Sequence, residues 1–169
     1  MDESDIAPGA PQPTGELAVS IFDAFVVGEG GEGAAEVVAR ENDELFLTNG
    51  AQDRVEIIDL ATGEESFADL ASLPGYAVVQ SVDVANGIGA VAVERDPVEE
   101  DGVLVAQPGF VALYDVSDGT LLSTVDVGNL PDDVTFTPDG LTLLVAGEGE
   151  NNVDSEHGPD PVGTIAVVD

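Results

Sequence analysis

The sequence contains no cysteine and no lysine, and only three arginines, Arg40, Arg54 and Arg95. Without cysteine there are no disulfides, thiolate metal sites or cysteine nucleophiles. Binding to a phosphate backbone needs clustered cations that displace counterions, and three scattered arginines do not form a cluster. Nucleic acids and anionic membrane surfaces are therefore excluded as partners. No stretch approaches the roughly 20 apolar residues of a membrane-spanning helix, so no membrane insertion is expected. The start, Met1-Asp2-Glu3-Ser4-Asp5, is acidic where a secretory signal is basic and then apolar. The expectation drawn from it is a natural start lying upstream of Met1.

What is abundant is negative charge. Asp and Glu total 35, for a formal net charge of -32 over 169 residues. Self-repulsion of that size opposes compaction in dilute buffer, whereas at molar salt the Debye length falls to about 3 Å. Acidic disordered chains are poor in apolar residues. Here 43% of residues are hydrophobic and mean hydropathy is +0.15, enough for a buried core. The composition points to a folded protein of a high-salt environment.

Residues 1–15 are rich in Pro and Gly and read as a flexible lead-in to one domain over 16–169. From Leu17 onward, short alternating runs are separated by Gly, Asp and Asn, the pattern of β-strands. The best helical candidate is Ser66 to Leu73, stopped by Pro74-Gly75. A repeat then emerges. Its first unit has strands at Ala35–Ala39, Leu45–Asn49 and Val55–Asp59. The second has Ser81–Val84, Ala90–Glu94 and Phe110–Asp115, with Asn86-Gly87 as a tight turn. The third has Asp133–Phe136, Leu143–Ala146 and Thr164–Asp169. Asp59, Asp115 and Asp169 close the units at intervals of 56 and 54 residues. Thr62-Gly63 and Asp118-Gly119 signal a turn into a fourth strand, Leu121–Val125 in the second unit. The expected fold is all-β: a partial β-propeller of about three four-stranded antiparallel blades, near 34–75, 78–128 and 131–169, the last incomplete. Propellers close with about four to eight blades, so the ring is not closed by this chain alone. Further blades or a complementary chain are expected partners. Phe46, Phe110, Tyr114 and Phe136 alternate on strands and are assigned to the inter-blade core.

These residues resemble a known family. Gly33 to Ala39 with Leu45 to Asn49, and Ser81 to Val84 with Val91 to Glu94, are similar to choice-of-anchor I domain proteins. The most specific run is Gly128-Asn129-Leu130-Pro131-Asp132-Asp133-Val134-Thr135-Phe136-Thr137-Pro138-Asp139-Gly140, continuing through Val145 to Glu150 and Asp160 to Ile165. The resemblance covers about residues 17 to 169 and the N-terminal part of such a domain. It implies a YVTN-like or phytase-like propeller, secreted or anchored at the cell surface, in a haloarchaeal-type acidic version. Gly147 stands where the family usually has Asn before Glu-Gly-Glu.

The repeat suggests where function sits. Asn49, Glu94 and Glu148 fall where the second strand of each unit ends, so they are expected to share one face. The two long connections, Arg95 to Gly109 and Gly149 to Gly163, leave from that edge, and long loops on a rigid scaffold carry function. Both are acidic, and hard cations such as Ca²⁺ take several oxygen ligands. Glu94, Glu148, Glu150 and Asp160 are the candidate Ca²⁺ ligands. The competing reading is a salt-adapted surface with acidic loops everywhere, and no EF-hand spacing is present. His157, the only histidine, sits between Glu156 and Gly158 as a solvated loop residue would. Neither Ser81 nor Ser155 lies in a Gly-x-Ser-x-Gly elbow. Gly28 to Gly33 looks like a phosphate loop but lacks Lys and carries two Glu. No catalytic residue is assigned. The expected function is a non-catalytic surface module binding a protein, glycan or small ligand; the alternative is a Ca²⁺-dependent phosphoesterase of the phytase-like kind.

Overall fold

The computed structural model describes residues 24–26, 33–149 and 161–169. The lead-in, the segments 17–23 and 27–32, and the acidic stretch 150–160 lie outside the described residues. Among the described residues there is no α-helix, only strands and one 3-10 turn at Gly50–Gln52.

The first sheet is a meander of β1 (Val38–Glu41), β2 (Glu44–Asn49), β3 (Arg54–Asp59) and β4 (Glu65–Asp69) in that spatial order. The second is built from β5 (Tyr76–Ala85), β6 (Ile88–Arg95), β9 (Gly109–Asp115) and β10 (Thr120–Gly128). Between β6 and β9 the chain forms a separate hairpin, β7 (Val98–Glu100) and β8 (Val103–Val105). The third sheet has β11 (Pro131–Phe136), β12 (Leu143–Gly147) and β13 (Thr164–Val168). Every neighbouring pair is antiparallel.

Local chemistry explains most boundaries. Asn86 and Gly87 take φ of 53° and 77°, the left-handed pair that a two-residue hairpin between Ala85 and Ile88 demands. Asp101 and Gly102, at 51° and 82°, turn the inserted hairpin in the same way. Strand β1 starts at Val38 rather than Ala35. The helical candidate Ser66–Leu73 is overturned. Its first half is β4, because Phe67 and Ala68 pair with Glu56 and Val55 of β3. A run that short gains more from sheet hydrogen bonds than an isolated helical turn supplies.

The core lies between sheets. Phe46, Val55, Ile57 and Ala68 of the first sheet meet Val82, Val91, Val93, Phe110 and Tyr114 of the second. Ala90, Ala92 and Val111, on the opposite face of the second sheet, meet Val134, Leu143 and Val145 of the third, with Phe136 at the margin. The middle sheet is thus covered on both faces, so β6 is a near-continuous apolar run rather than an alternating one. Each such Val or Phe contributes about 1.5–3 kcal/mol relative to exposure.

Polar contacts fasten the inner strands β1, β5 and β11 to one another. The Gly87 amide donates to Glu41 Oε2 at 3.0 Å, joining the first sheet to the second. From the second to the third, the Phe136 amide donates to Asp83 Oδ2 at 2.6 Å and the Val134 amide to Ser81 Oγ at 3.3 Å. Asn86 Nδ2 donates to the Asp139 and Gly140 carbonyls at 3.1 and 3.2 Å.

Candidate functional site

In each sheet the connection after the second strand leaves from one edge. These connections are the 3-10 turn Gly50–Gln52, the 96–108 segment with its hairpin, and the segment after Gly147. The strand register fixes which residues correspond. Glu44 pairs with Asp59, and Ile88 with Asp115, so Asn49 corresponds to Val93. Leu143 pairs with Val168, so the third member of that set is Gly147. Glu94 and Glu148 therefore correspond to each other and to Gly50, one residue beyond Asn49. Because side chains alternate along a strand, that offset places Asn49 on the opposite face of its sheet from its supposed counterparts.

The three residues accordingly have different surroundings. Asn49 is fully buried, and its Nδ2 donates to Glu56 Oε1 at 2.7 Å and Gln52 Oε1 at 3.1 Å. Its Oδ1 is buried without a hydrogen-bond partner. Glu94 is half-buried and accepts from Gln80 Nε2 at 3.1 Å. Glu148 is exposed, and its amide donates to the Leu130 carbonyl at 3.0 Å. Glu94 and Glu148 lie at this rim with their side chains at least partly open to solvent, whereas Asn49 braces the turn behind it. Among the described residues no group of three or more His, Asp or Glu is arranged to hold a metal ion. Glu150, Asp160, Ser155 and His157 lie outside the described residues.

Ser81 has a structural task. It is 1% exposed, donates to Asp133 Oδ1 at 3.1 Å and accepts from the Val134 amide, which consumes its hydroxyl in the sheet-to-sheet contact.

Sequence reasoning missed how the scarce cations are used. Arg54 contacts Glu56 Oε1 at 2.6 Å and lies 4.6 Å from the Phe67 ring centroid. Glu56 is only 6% exposed, so this pair with Asn49 forms a small buried polar network at the rim. Arg95 pairs with Asp126 at 2.7 Å, donates to the Pro108 carbonyl at 3.0 Å and stacks on Phe110 at 4.7 Å, clamping the base of the hairpin segment. Arg40 pairs loosely with Asp43 at 3.7 Å. The signal available in the sequence was their rarity: three cations among 35 carboxylates tend to be drawn into such contacts.

Titration behaviour follows the same geometry. Burial pushes the Tyr114 hydroxyl up to about 12, with the Asp69 charge adding to it. Burial likewise raises Tyr76, next to Asp53. Asp59, Asp115 and Asp139 are held below 3.8 by hydrogen bonds of their turns: chiefly the Thr62 amide, the Ser117 hydroxyl and the Thr137 hydroxyl respectively. None of these is a nucleophile next to a base.

At the opposite edge, an open groove of about 400 Å³ runs between the sheets, lined by Arg40, Glu41, Asp83, Asn86, Thr137 and Asp139. The hairpin β7–β8 exposes Val98, Val103 and Leu104 by 41–44%. No helix among the described residues is long and apolar enough to cross a membrane, which says nothing of β-barrels.

Comparison with known proteins places this architecture. The PQQ-bound aldose sugar dehydrogenase of Streptomyces coelicolor aligns with a TM-score of 0.56 at 13% identity, over 89% of this chain and 48% of that one. A luciferin-regenerating enzyme aligns at 0.53 and 15% identity, over 79% of this chain and 46% of that one. The chain thus spans about half the length of these two. The computationally designed Ika4 protein aligns at 0.51 and 15% identity, over 86% of this chain and 98% of that one. At such identities the likeness concerns the fold alone, which is β-propeller-like. No curated protein sequence matches the chain. Residues 36–169 match the choice-of-anchor I domain, and the chain belongs to that family.

Proposed function

We propose that the chain is a non-catalytic binding or scaffold module working at the cell surface in high salt, with its three stacked sheets serving as successive propeller blades. Residues 16–169 then act as one unit, and the blades run near 34–75, 78–128 and 131–169. The family name, which refers to anchoring, and the charge of -32 support the location and the salt.

The observation that carries the reading is the hairpin β7–β8. It leaves the same rim as Glu94 and Glu148 and presents Val98, Val103 and Leu104 to solvent. Exposed apolar side chains on a protruding loop suit recognition of a protein or glycan. Phosphoester chemistry has less support, because each arginine already holds a carboxylate and none is set aside for a phosphate.

The test is twofold, in molar KCl. A glycan and surface-protein binding screen is expected to give signals lost in the double variant V103D/L104D, whose fold is intact. A phosphomonoester assay with and without Ca²⁺ is expected to show no turnover. Ca²⁺-dependent turnover abolished by E148A overturns the binding-module reading in favour of a phosphoesterase.

A further inference from the structure

Asparagine followed by glycine is the dipeptide most prone to lose its side-chain amide. The glycine nitrogen attacks the asparagine Cγ, and the side-chain nitrogen leaves as ammonia with the proton of the attacking amide. The five-membered succinimide left behind takes up water at either carbonyl and opens to aspartate or isoaspartate. Glycine favours the attack because it has no side chain to hinder it and reaches most backbone angles. The chain has two such pairs, Asn49-Gly50 and Asn86-Gly87.

The fold treats the two pairs differently. Asn49 is 0% exposed, its Nδ2 is held by Glu56 and Gln52, and the Gly50 amide donates to the Gly33 carbonyl at 2.9 Å. Burial keeps from it the water that the second step consumes. Asn86 is exposed at the tip of the β5–β6 hairpin, and what holds it comes from the neighbouring sheets. The Gly87 N–H, the attacking group of the first step, is donated to Glu41 Oε2 at the end of β1. The leaving amide donates to the Asp139 and Gly140 carbonyls of the β11–β12 turn. Gly140 has φ of 68°, and a Cβ there would collide with Asn86 Nδ2, so the two residues are packed without slack.

We propose that, of these two pairs, Asn86-Gly87 is where the folded protein is deamidated, that Glu41 restrains the reaction, and that the product loosens the third sheet from the second. The consequence follows from the atoms exchanged. Deamidation replaces the NH2 that donates to two carbonyls by an oxygen that repels them. It also adds a carboxylate to a groove already lined by Glu41, Asp83 and Asp139. In the isoaspartate product the main chain gains a methylene, which a two-residue turn between the paired Ala85 and Ile88 does not accommodate.

The test is peptide mapping by mass spectrometry, with enzymatic detection of isoaspartate, on the full chain kept in molar KCl at mildly alkaline pH. In urea both pairs are expected to react at similar rates; in the folded protein Asn86 is expected to react while Asn49 stays intact far longer. E41A removes the acceptor of the Gly87 amide and is expected to speed the reaction at Asn86 about tenfold, the factor that losing a hydrogen bond to a charged acceptor corresponds to. Asn49 reports on global unfolding. If it too speeds up in E41A, E41Q, which keeps an oxygen acceptor, takes the place of that variant and is expected to give a smaller acceleration confined to Asn86. N86D, which copies one product, is expected to quicken amide exchange at Val134 and Phe136 while Phe46 and Ile57 keep their protection. A folded protein in which Asn86 stays intact or reacts no faster than Asn49, a rate at Asn86 that falls or holds when Glu41 is replaced, or unaltered Val134 and Phe136 exchange in N86D overturns the proposal.

Discussion

Replacing Asp83 by Ala probes the joint on which the stack depends. Asp83 Oδ2 accepts the Phe136 amide at 2.6 Å and Oδ1 accepts the Val84 amide at 2.8 Å. The first bond crosses from the second sheet to the third, where the Ser81–Val134 contact at 3.3 Å is longer. A hydrogen bond to a charged acceptor contributes about 1.5–3 kcal/mol, and half-burial of both residues puts this one near the middle, about 2 kcal/mol. For a domain of this size each kcal/mol moves Tm by about 2–4 °C, so D83A is expected to lower it by about 4–8 °C. D83N keeps an acceptor without the charge and is expected to lose about half as much. The assay is urea or thermal unfolding in molar KCl, since guanidinium would itself screen the carboxylates. Amide exchange adds the local readout: Phe136 and the β11 amides are expected to exchange faster in D83A, while Phe46 and Ile57 in the first sheet keep their protection. An unchanged Tm together with unchanged Phe136 exchange would refute the view that this carboxylate fastens the sheets.

Four further outcomes are expected. Removing the hydroxyl in S117A takes away the leading cause of the low Asp115 value, so the carboxyl, followed by NMR, should titrate closer to 3.8; persistence at its original position contradicts that cause. Because Asp59, Asp115 and Asp139 titrate below their unfolded value of 3.8, the stability they lend is full above that value and is lost as pH falls through their lower folded values; an acid unfolding curve with no such dependence would contradict it. A Cβ on Gly109 would collide with the Pro131 ring and lie 2.8 Å from the Val93 carbonyl, so G109A is expected to cost at least about 2 kcal/mol by urea unfolding, and a silent substitution rejects the close approach of β9 and β11. E56A leaves Arg54 and the Asn49 amide without their shared acceptor and is expected to destabilise by about 2–4 kcal/mol, more than E56Q; equal effects would show that charge plays no part in the network.

Much of the fold was legible because its signals are local. Alternation marked the runs around Phe46, Val91 and Val145, and Asn86-Gly87 marked a hairpin, since only a pair tolerating positive φ closes so tight a turn. The short run at Ser66 was misread because eight residues fit either period, and β3 decided it by offering a free edge. The inserted hairpin β7–β8 was read as plain loop, although Asp101-Gly102 carried the same turn signature.

The candidate site was less legible. Counting along the chain aligned Asn49 with Glu94 and Glu148, and an error of one residue on a strand exchanges its two faces. Only pairing across β2–β3 and β6–β9 revealed the shift and the burial of Asn49 against Glu56.

The sequence by itself determined that this is a strongly acidic, all-β protein with a repeated strand pattern, because composition, alternation and turn residues act within a few neighbours. Tertiary structure alone decided which residues face one another between sheets: Ser81 and Asp83 fasten the second sheet to the third, the arginines found their carboxylates, and Ile165 and Val167 stayed exposed. The sheet-to-sheet contacts join residues some fifty positions apart, and no local pattern encodes the register that brings them together.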